Sequence, residues 1–146
     1  MISLKVDTAM TAPVETTTTD LSAAAAAKAM RDSGIGALVV LDGAGDVTGI
    51  VTQSDVLGLV ASDTDVASAT VGEICSTPVA TVDADANLLD AAEVMKDNSV
   101  RRLPVFDGDE LVGIVTTTDL THYMPRLRNT ILRDRPDTPE SSKIVE

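Results

Sequence analysis

The chain has 146 residues, 44% of them hydrophobic and 1% aromatic, with one cysteine and a formal net charge of −12. That length fits one compact domain or two small ones, and the core must be aliphatic. No apolar run approaches the roughly 18 residues that cross a bilayer, and the charge opposes attraction to nucleic acid or to an anionic membrane. The lone Cys75 excludes an internal disulfide framework and fits a reducing compartment. The N-terminus lacks the build of a signal peptide, so a cytoplasmic protein with no membrane partner is expected. An Asp-rich, Lys-poor composition points to work in high salt, as in a halophilic archaeon, where screening weakens self-repulsion.

The stretch VDTAMTAP (6–13) predicts one short helical turn stopped by Pro13. VETTTT (14–19) is β-branched and predicts a strand. Asp20 or Ser22 is placed to cap the alanine-rich helix that follows, and Gly34 to end it. ALVVLD (37–42) is apolar enough for a strand buried on both faces. DGAGD then turns the chain, and VTGIV returns it as the second arm of a hairpin. The next helix is predicted over 52–60, with Val56, Leu57 and Val60 on its apolar side. Residues 61–70 are small and polar and read as a linker.

After the linker the plan restarts. VGEICSTPV (71–79) echoes VDTAMTAPV (6–14), and the helix over 88–98 puts Met95 where the first has Met30. RRLPVFDG (101–108) echoes GALVVLDG (36–43), and GIVTTTD (113–119) echoes GIVTQSD (49–55). This is a tandem duplication. The expected architecture is α/β (α+β), two tandem β-α-β-β-α units: a first domain over 1–60, a linker over 61–70, a second domain over 71–124. The tail, 125–146, belongs to neither repeat. Its arginines, Arg126, Arg128, Arg133 and Arg135, suit a short helix over 125–133 that docks on an acidic partner, or simply a solvated and partly disordered end.

The repeated motif carries the chemistry. Gly-Ile-Val ends a strand, and the Thr that follows (Thr52, Thr116) can cap a new helix. The Asp three residues on (Asp55, Asp119) sits in the first helical turn, where a carboxylate accepts hydrogen bonds and can take both hydroxyls of a ribose. A helix start is also a natural seat for phosphate. The same spacing fits a capping box, in which the Asp only folds back onto the Thr N–H. Other chemistry has little material. His122 is the one histidine, which leaves no His-based metal site and no Ser–His–Asp triad. Neither a P-loop nor a dinucleotide fingerprint occurs. Cys75, whose counterpart in the first repeat is Met10, reads as a small buried hydrophobe, and Met30 and Met95 read as core. No catalytic residue, metal ligand or obligatory cofactor is expected, so the chain does not read as an enzyme.

A β-α-β-β-α unit entered through M-T-x-P-V and closed by G-I-V-T-x-x-D resembles a CBS domain, and two in tandem resemble a CBS pair. The resemblance covers residues 6 to 124. It implies a pseudo-two-fold pair with two clefts that hold adenosyl ligands (AMP, ADP, ATP or S-adenosylmethionine), signalling to an unidentified protein partner, and a homodimer formed through the helices after Thr52 and Thr116. Carried over by position, Asp55 and Asp119 match the ribose-binding carboxylates. Thr52 and Thr116 match the hydroxyls facing ribose or phosphate, with Ser54 and Thr118 as helpers. The stretches 11–15, with Val14, and 76–80, with Ser76, Thr77, Val79 and Ala80, match the segments whose backbone frames the base. Arg101 and Arg102 match a basic pair that reaches phosphate, and guanidinium binds phosphate oxygens in a bidentate way. The first repeat has Gly36 and Ala37 at those positions, so the two clefts are expected to differ in charge. The arginine-served cleft, expected to contain Asp55, suits a phosphorylated nucleotide, and the Asp119 cleft faced by Gly36 suits an uncharged adenosyl group. The alternative is a ligand-independent dimerisation or interaction module in which Thr-x-x-Asp only caps.

Overall fold

The structure, a computed structural model, describes residues 4–77 and 79–123. In chain order the first elements are α1 (Val6–Ala9), β1 (Thr16–Thr18), α2 (Ala23–Ser33), β2 (Ala37–Leu41), β3 (Val47–Thr52) and α3 (Gln53–Ala61). After them come α4 (Val71–Ile74), β4 (Val82–Asp83), α5 (Leu88–Asn98), β5 (Arg102–Asp107), β6 (Glu110–Thr116) and α6 (Thr117–His122). Two compact units result: residues 12–81 form one, and residues 4–11 join residues 82–123 in the other. Each contains one three-stranded sheet and one β-α-β-β-α repeat, so the mixed α and β class holds.

In the 12–81 unit β2 is central, parallel to β1 and antiparallel to β3. Leu38, Val39 and Val40 are all buried, as a doubly covered apolar strand should be. Ser22 provides the cap of α2, its hydroxyl accepting from Ala25 N–H at 3.1 Å, whereas Asp20 accepts from Thr18 Oγ1 at 2.6 Å. Gly34 closes α2 in the left-handed region at φ 66°. Ala23, Ala26 and Met30 are the buried face of this helix. Ala26 and Met30 pack with Leu38, Val40, Val51 and Val71 in one core. Pairing of β1 with β2 starts only at Thr16, so Val14 lies outside the strand expected over 14–19.

The expected apolar side of α3 is corrected. Val56 packs against the core, but Leu57 is 65% exposed and Val60 59% exposed. Packing of Val56 on the core chooses the inward stripe, which is Asp55, Val56 and Leu59, each partly buried. Positions 57 and 60 then fall on the opposite side.

The 82–123 unit repeats the design. Leu88, Ala91 and Met95 are the buried face of α5, matching the three buried residues of α2. Both hairpins shift register at the same point, between Val40 and Leu41 and between Val105 and Phe106. Asn87 caps α5 through Leu89 N–H at 2.8 Å, and Ser99 takes the left-handed position (φ 55°) that Gly34 holds in the first repeat. Pro104 stands where β2 has Val39, whose N–H donates to Glu15 O at 3.1 Å. A proline has no such N–H, and β4 begins pairing only at Val82, opposite Val105.

The segments that lead into the repeats are exchanged. The stretch 4–11 packs on the second repeat: Leu4 O accepts from Leu88 N–H at 2.7 Å, and Val6 is fully buried. Thr11 pairs with Ile114 through both backbone bonds (2.8 and 3.1 Å). The stretch 69–76 does the same for the first repeat. Ala69 O accepts from Ala23 N–H at 2.8 Å, Val71 is fully buried, and Ser76 pairs with Ile50 through both backbone bonds (2.9 and 3.2 Å). The stretch 62–70 is therefore anchored, with Val66 O also accepting from Ala24 N–H at 2.9 Å. The expected helix over 125–133 lies outside the described residues.

Candidate functional site

Both Thr-x-x-Asp sequences fold as reciprocal capping boxes. Asp55 Oδ2 accepts from Thr52 N–H at 2.8 Å and from Thr52 Oγ1 at 3.1 Å, while Asp55 N–H donates back to Thr52 Oγ1 at 3.3 Å. Around Asp119 the corresponding distances to Thr116 are 2.8, 3.2 and 3.2 Å. All the accepted bonds fall on Oδ2. Among the described residues no donor reaches Oδ1 of either aspartate. Capping and ligand binding are thus compatible, because each carboxylate keeps an oxygen with its lone pairs unspent. The threonine hydroxyl hydrogen is engaged on the aspartate, which leaves Thr52 and Thr116 as acceptors toward a ligand. Ser54 and Thr118, two residues after the capping threonines, are exposed.

The surrounding residues fall into two sets, one per unit. In the 12–81 unit Gly36 O accepts from Gln53 N–H at 3.0 Å, which ties position 36 to the start of α3. Ala37 pairs with Thr52 across the hairpin. Ser76, bonded to Ile50, and Thr77 lie beside the strand that ends in Thr52, and Val14, Val79 and Ala80 are partly buried in the same unit. In the 82–123 unit Arg101 O accepts from Thr117 N–H at 3.0 Å, and Arg102 pairs with Thr116. These are the same positions, with arginine in place of Gly36 and Ala37. Among the described residues no carboxylate lies within ion-pair distance of either guanidinium. In a chain of net charge −12, these two cations have no ion-pair partner among the described residues.

Cys75 packs against the core beside Ile74 and Val56, as a small hydrophobe should. Burial pushes its thiol pKa up; a backbone hydrogen bond pulls the other way, and the charge of Asp55 adds to the rise. A raised thiol holds less thiolate at neutral pH and is a poor nucleophile. Among the described residues no group of three or more His, Cys, Asp or Glu can hold a metal ion. No helix among them is long and apolar enough to cross a membrane.

Sequence reasoning assigned the framing segments but gave no role to what holds them, the backbone of Ile50 and Ile114 and the glycines before them. The available signal was a Gly inside a strand pattern, in the same place in both repeats, which marks a close approach of another backbone.

Comparison with known proteins agrees with this geometry. The CBS domain family matches residues 5–62 and 71–126. The chain is 37% identical over 143 residues to the uncharacterized protein MJ1404 of Methanocaldococcus jannaschii, covering 88% of this chain and 34% of that protein, so it spans about a third of that relative's length. Hypoxic response protein 1 of Mycobacterium tuberculosis is 38% identical over 103 residues, 69% of this chain and 71% of that protein. A crystal structure of hypoxic response protein I with two coordinated zinc ions superposes with a TM-score of 0.71 at 33% identity, covering 82% of this chain and 98% of that one. The CBS domain pair of MJ0100, in complex with 5′-methylthioadenosine and S-adenosyl-L-methionine, superposes with a TM-score of 0.76 at 26% identity, covering 85% and 98%. With the family matched over most of its length in two successive blocks, the chain belongs to the CBS domain family and carries a tandem pair of CBS domains.

Proposed function

We propose that this CBS pair is a non-catalytic regulatory module that binds an adenosyl ligand, AMP, ADP, ATP or S-adenosylmethionine, and passes the binding on to a protein partner. One observation carries the reading: the duplicated Thr–Asp box that leaves Oδ1 of Asp55 and of Asp119 without a donor among the described residues. A ribose diol supplies the two donors such an oxygen lacks. The adenosyl ligands of the MJ0100 pair support the same ligand class here. Ser76, Thr77, Val79, Ala80 and Val14 frame the base, and Gly36 leaves room where Arg101 and Arg102 offer bidentate donors to phosphate. Ser54 and Thr118 assist at the helix starts.

The test is a thermal-shift panel in high salt with AMP, ADP, ATP, S-adenosylmethionine and GTP as control. A ligand at a hundred times its Kd stabilises by about 2.7 kcal/mol. Asp55→Ala and Asp119→Ala are each expected to abolish the shift at one site while costing about 1 kcal/mol of cap stability. Combining each with Arg101→Ala identifies the carboxylate that shares a ligand with the arginines, because those two losses fail to add. A protein that melts cooperatively with no shift from any adenosyl compound sinks the proposal and leaves the ligand-independent interaction module.

We further propose that the module works as a homodimer and that the exposed Leu57 and Val60 of α3 belong to its contact. Leu57→Asp is expected to yield monomers in sedimentation velocity with the melting temperature of the residual fold little changed. A dimer unaffected by Leu57→Asp and Val60→Asp together places the contact elsewhere.

A further inference from the structure

We infer that Gly49 and Gly113 are positioning residues, each setting the base-framing segment of one ligand site and leaving the other site untouched. The inference rests on the ligand reading proposed above. Neither glycine is there for backbone freedom: positive φ occurs at Gly34, Gly45 and Gly108, not at these two. Inside a strand an alanine would by propensity be the better residue. What these positions need is empty space. A Cβ on Gly49 would stand 2.8 Å from Cys75 Sγ, 2.9 Å from Ser76 O and 3.1 Å from Thr77 Cγ2. A Cβ on Gly113 would stand 2.6 Å from Met10 Sδ, 2.9 Å from Thr11 O and 3.0 Å from Met10 Cγ.

The sulfur atoms can swing aside, but the carbonyls cannot. Ser76 O accepts from Ile50 N–H at 3.2 Å, and Thr11 O accepts from Ile114 N–H at 3.1 Å. A methyl group at 49 or 113 therefore pushes the framing segment off the very strand that ends in Thr52 or Thr116. It does so without touching Asp55, Asp119 or either capping box. The atoms nearest each Cβ belong to its own unit's segment, so the two substitutions act on different sites.

Isothermal titration with S-adenosylmethionine and AMP, together with amide exchange, tests this on the full chain and its Gly49→Ala, Gly113→Ala and Gly58→Ala variants. Gly58, with open space around its Cβ, is the control. The expected result for Gly49→Ala is loss, or at least a tenfold weakening, of one binding component, with faster exchange at Ile50 and Ser76 and continued protection at Thr11 and Ile114. Gly113→Ala gives the converse, and Gly58→Ala changes neither. If a single site fills, only one of the two substitutions removes binding. Should Gly49→Ala not fold, adding Cys75→Ala removes the nearest contact while keeping the push on Ser76 O, and binding is still lost. Binding that survives in Gly49→Ala and Gly113→Ala, or that falls equally at both sites in each, overturns this inference alone. An unsubstituted chain that binds neither probe overturns the ligand reading, and this inference with it.

Discussion

At the scale of single residues, Thr17 shows how strictly this core treats polarity. It sits mid-strand in β1 opposite Val40, 8% exposed, and its Oγ1 has no partner among the described residues. An unmet buried hydroxyl costs about 1–3 kcal/mol, and valine has nearly its shape. Thr17→Val is expected to stabilise the fold by about 1 kcal/mol, seen in urea as a higher midpoint at an unchanged slope; a lower midpoint would mean that the hydroxyl is satisfied. The contrast is with Asp55 and Asp119, which lie at partly exposed helix starts. That the two aspartates fold back on Thr52 and Thr116 was legible from the repeated Thr-x-x-Asp spacing. Which oxygen caps and which stays open was not, since spacing fixes the turn of a helix but not the rotamer within it.

At the scale of elements, local signals served well. Gly34 was readable as the end of α2 and its start was narrowed to Asp20 or Ser22, because capping depends on the residue and its immediate neighbours, and Met30 and Met95 were readable as core because α2 and α5 keep one apolar stripe. Leu57 and Val60 were misplaced because Val56, Leu57, Leu59 and Val60 offer two overlapping stripes, and only tertiary packing chooses between them. The exchange of the lead-in segments was not legible at all. VDTAMTAPV and VGEICSTPV are near copies, so pattern alone cannot say which sheet each one joins. The exchange has a measurable consequence. Deleting residues 1–11 removes the fully buried Val6, the carbonyl that caps Leu88 N–H, and both backbone bonds to Ile114. The loss of Val6 burial and one cap amounts to about 3 kcal/mol, a large share of the stability of a unit this small. Amide exchange on the truncated chain is expected to show protection lost over 82–123 and kept over 12–81. Equal protection in both units would show that α1 adds little.

At the scale of the whole molecule, charge dominates. The described residues hold Lys5, Lys28, Arg31, Lys96, Arg101 and Arg102 as their Lys and Arg, while Arg126, Arg128, Arg133, Arg135 and Lys143 lie in the tail. The one ion pair among the described residues, Arg31–Asp32, is 74% and 59% exposed, and such pairs contribute almost nothing. Self-repulsion among the carboxylates is therefore opposed mainly by salt, whose screening length falls from about 10 Å at 0.1 M to about 3 Å at 1 M. Raising KCl from 0.1 to 2 M is expected to add about 1 kcal/mol, or about 4–8 °C in melting temperature. A flat response would show that the acidic surface is not under strain. The exchanged lead-in segments bear on the path of the chain itself. Residues 12–81 already form one unbroken stretch, and only the first eleven residues keep the other unit in two pieces. Joining the C-terminus back to Met1 and opening the backbone between Thr11 and Ala12 would give a circular permutant in which each compact unit is continuous. In that rearranged chain a single cut at 81/82 would separate the two units, a division that the natural order of residues forbids.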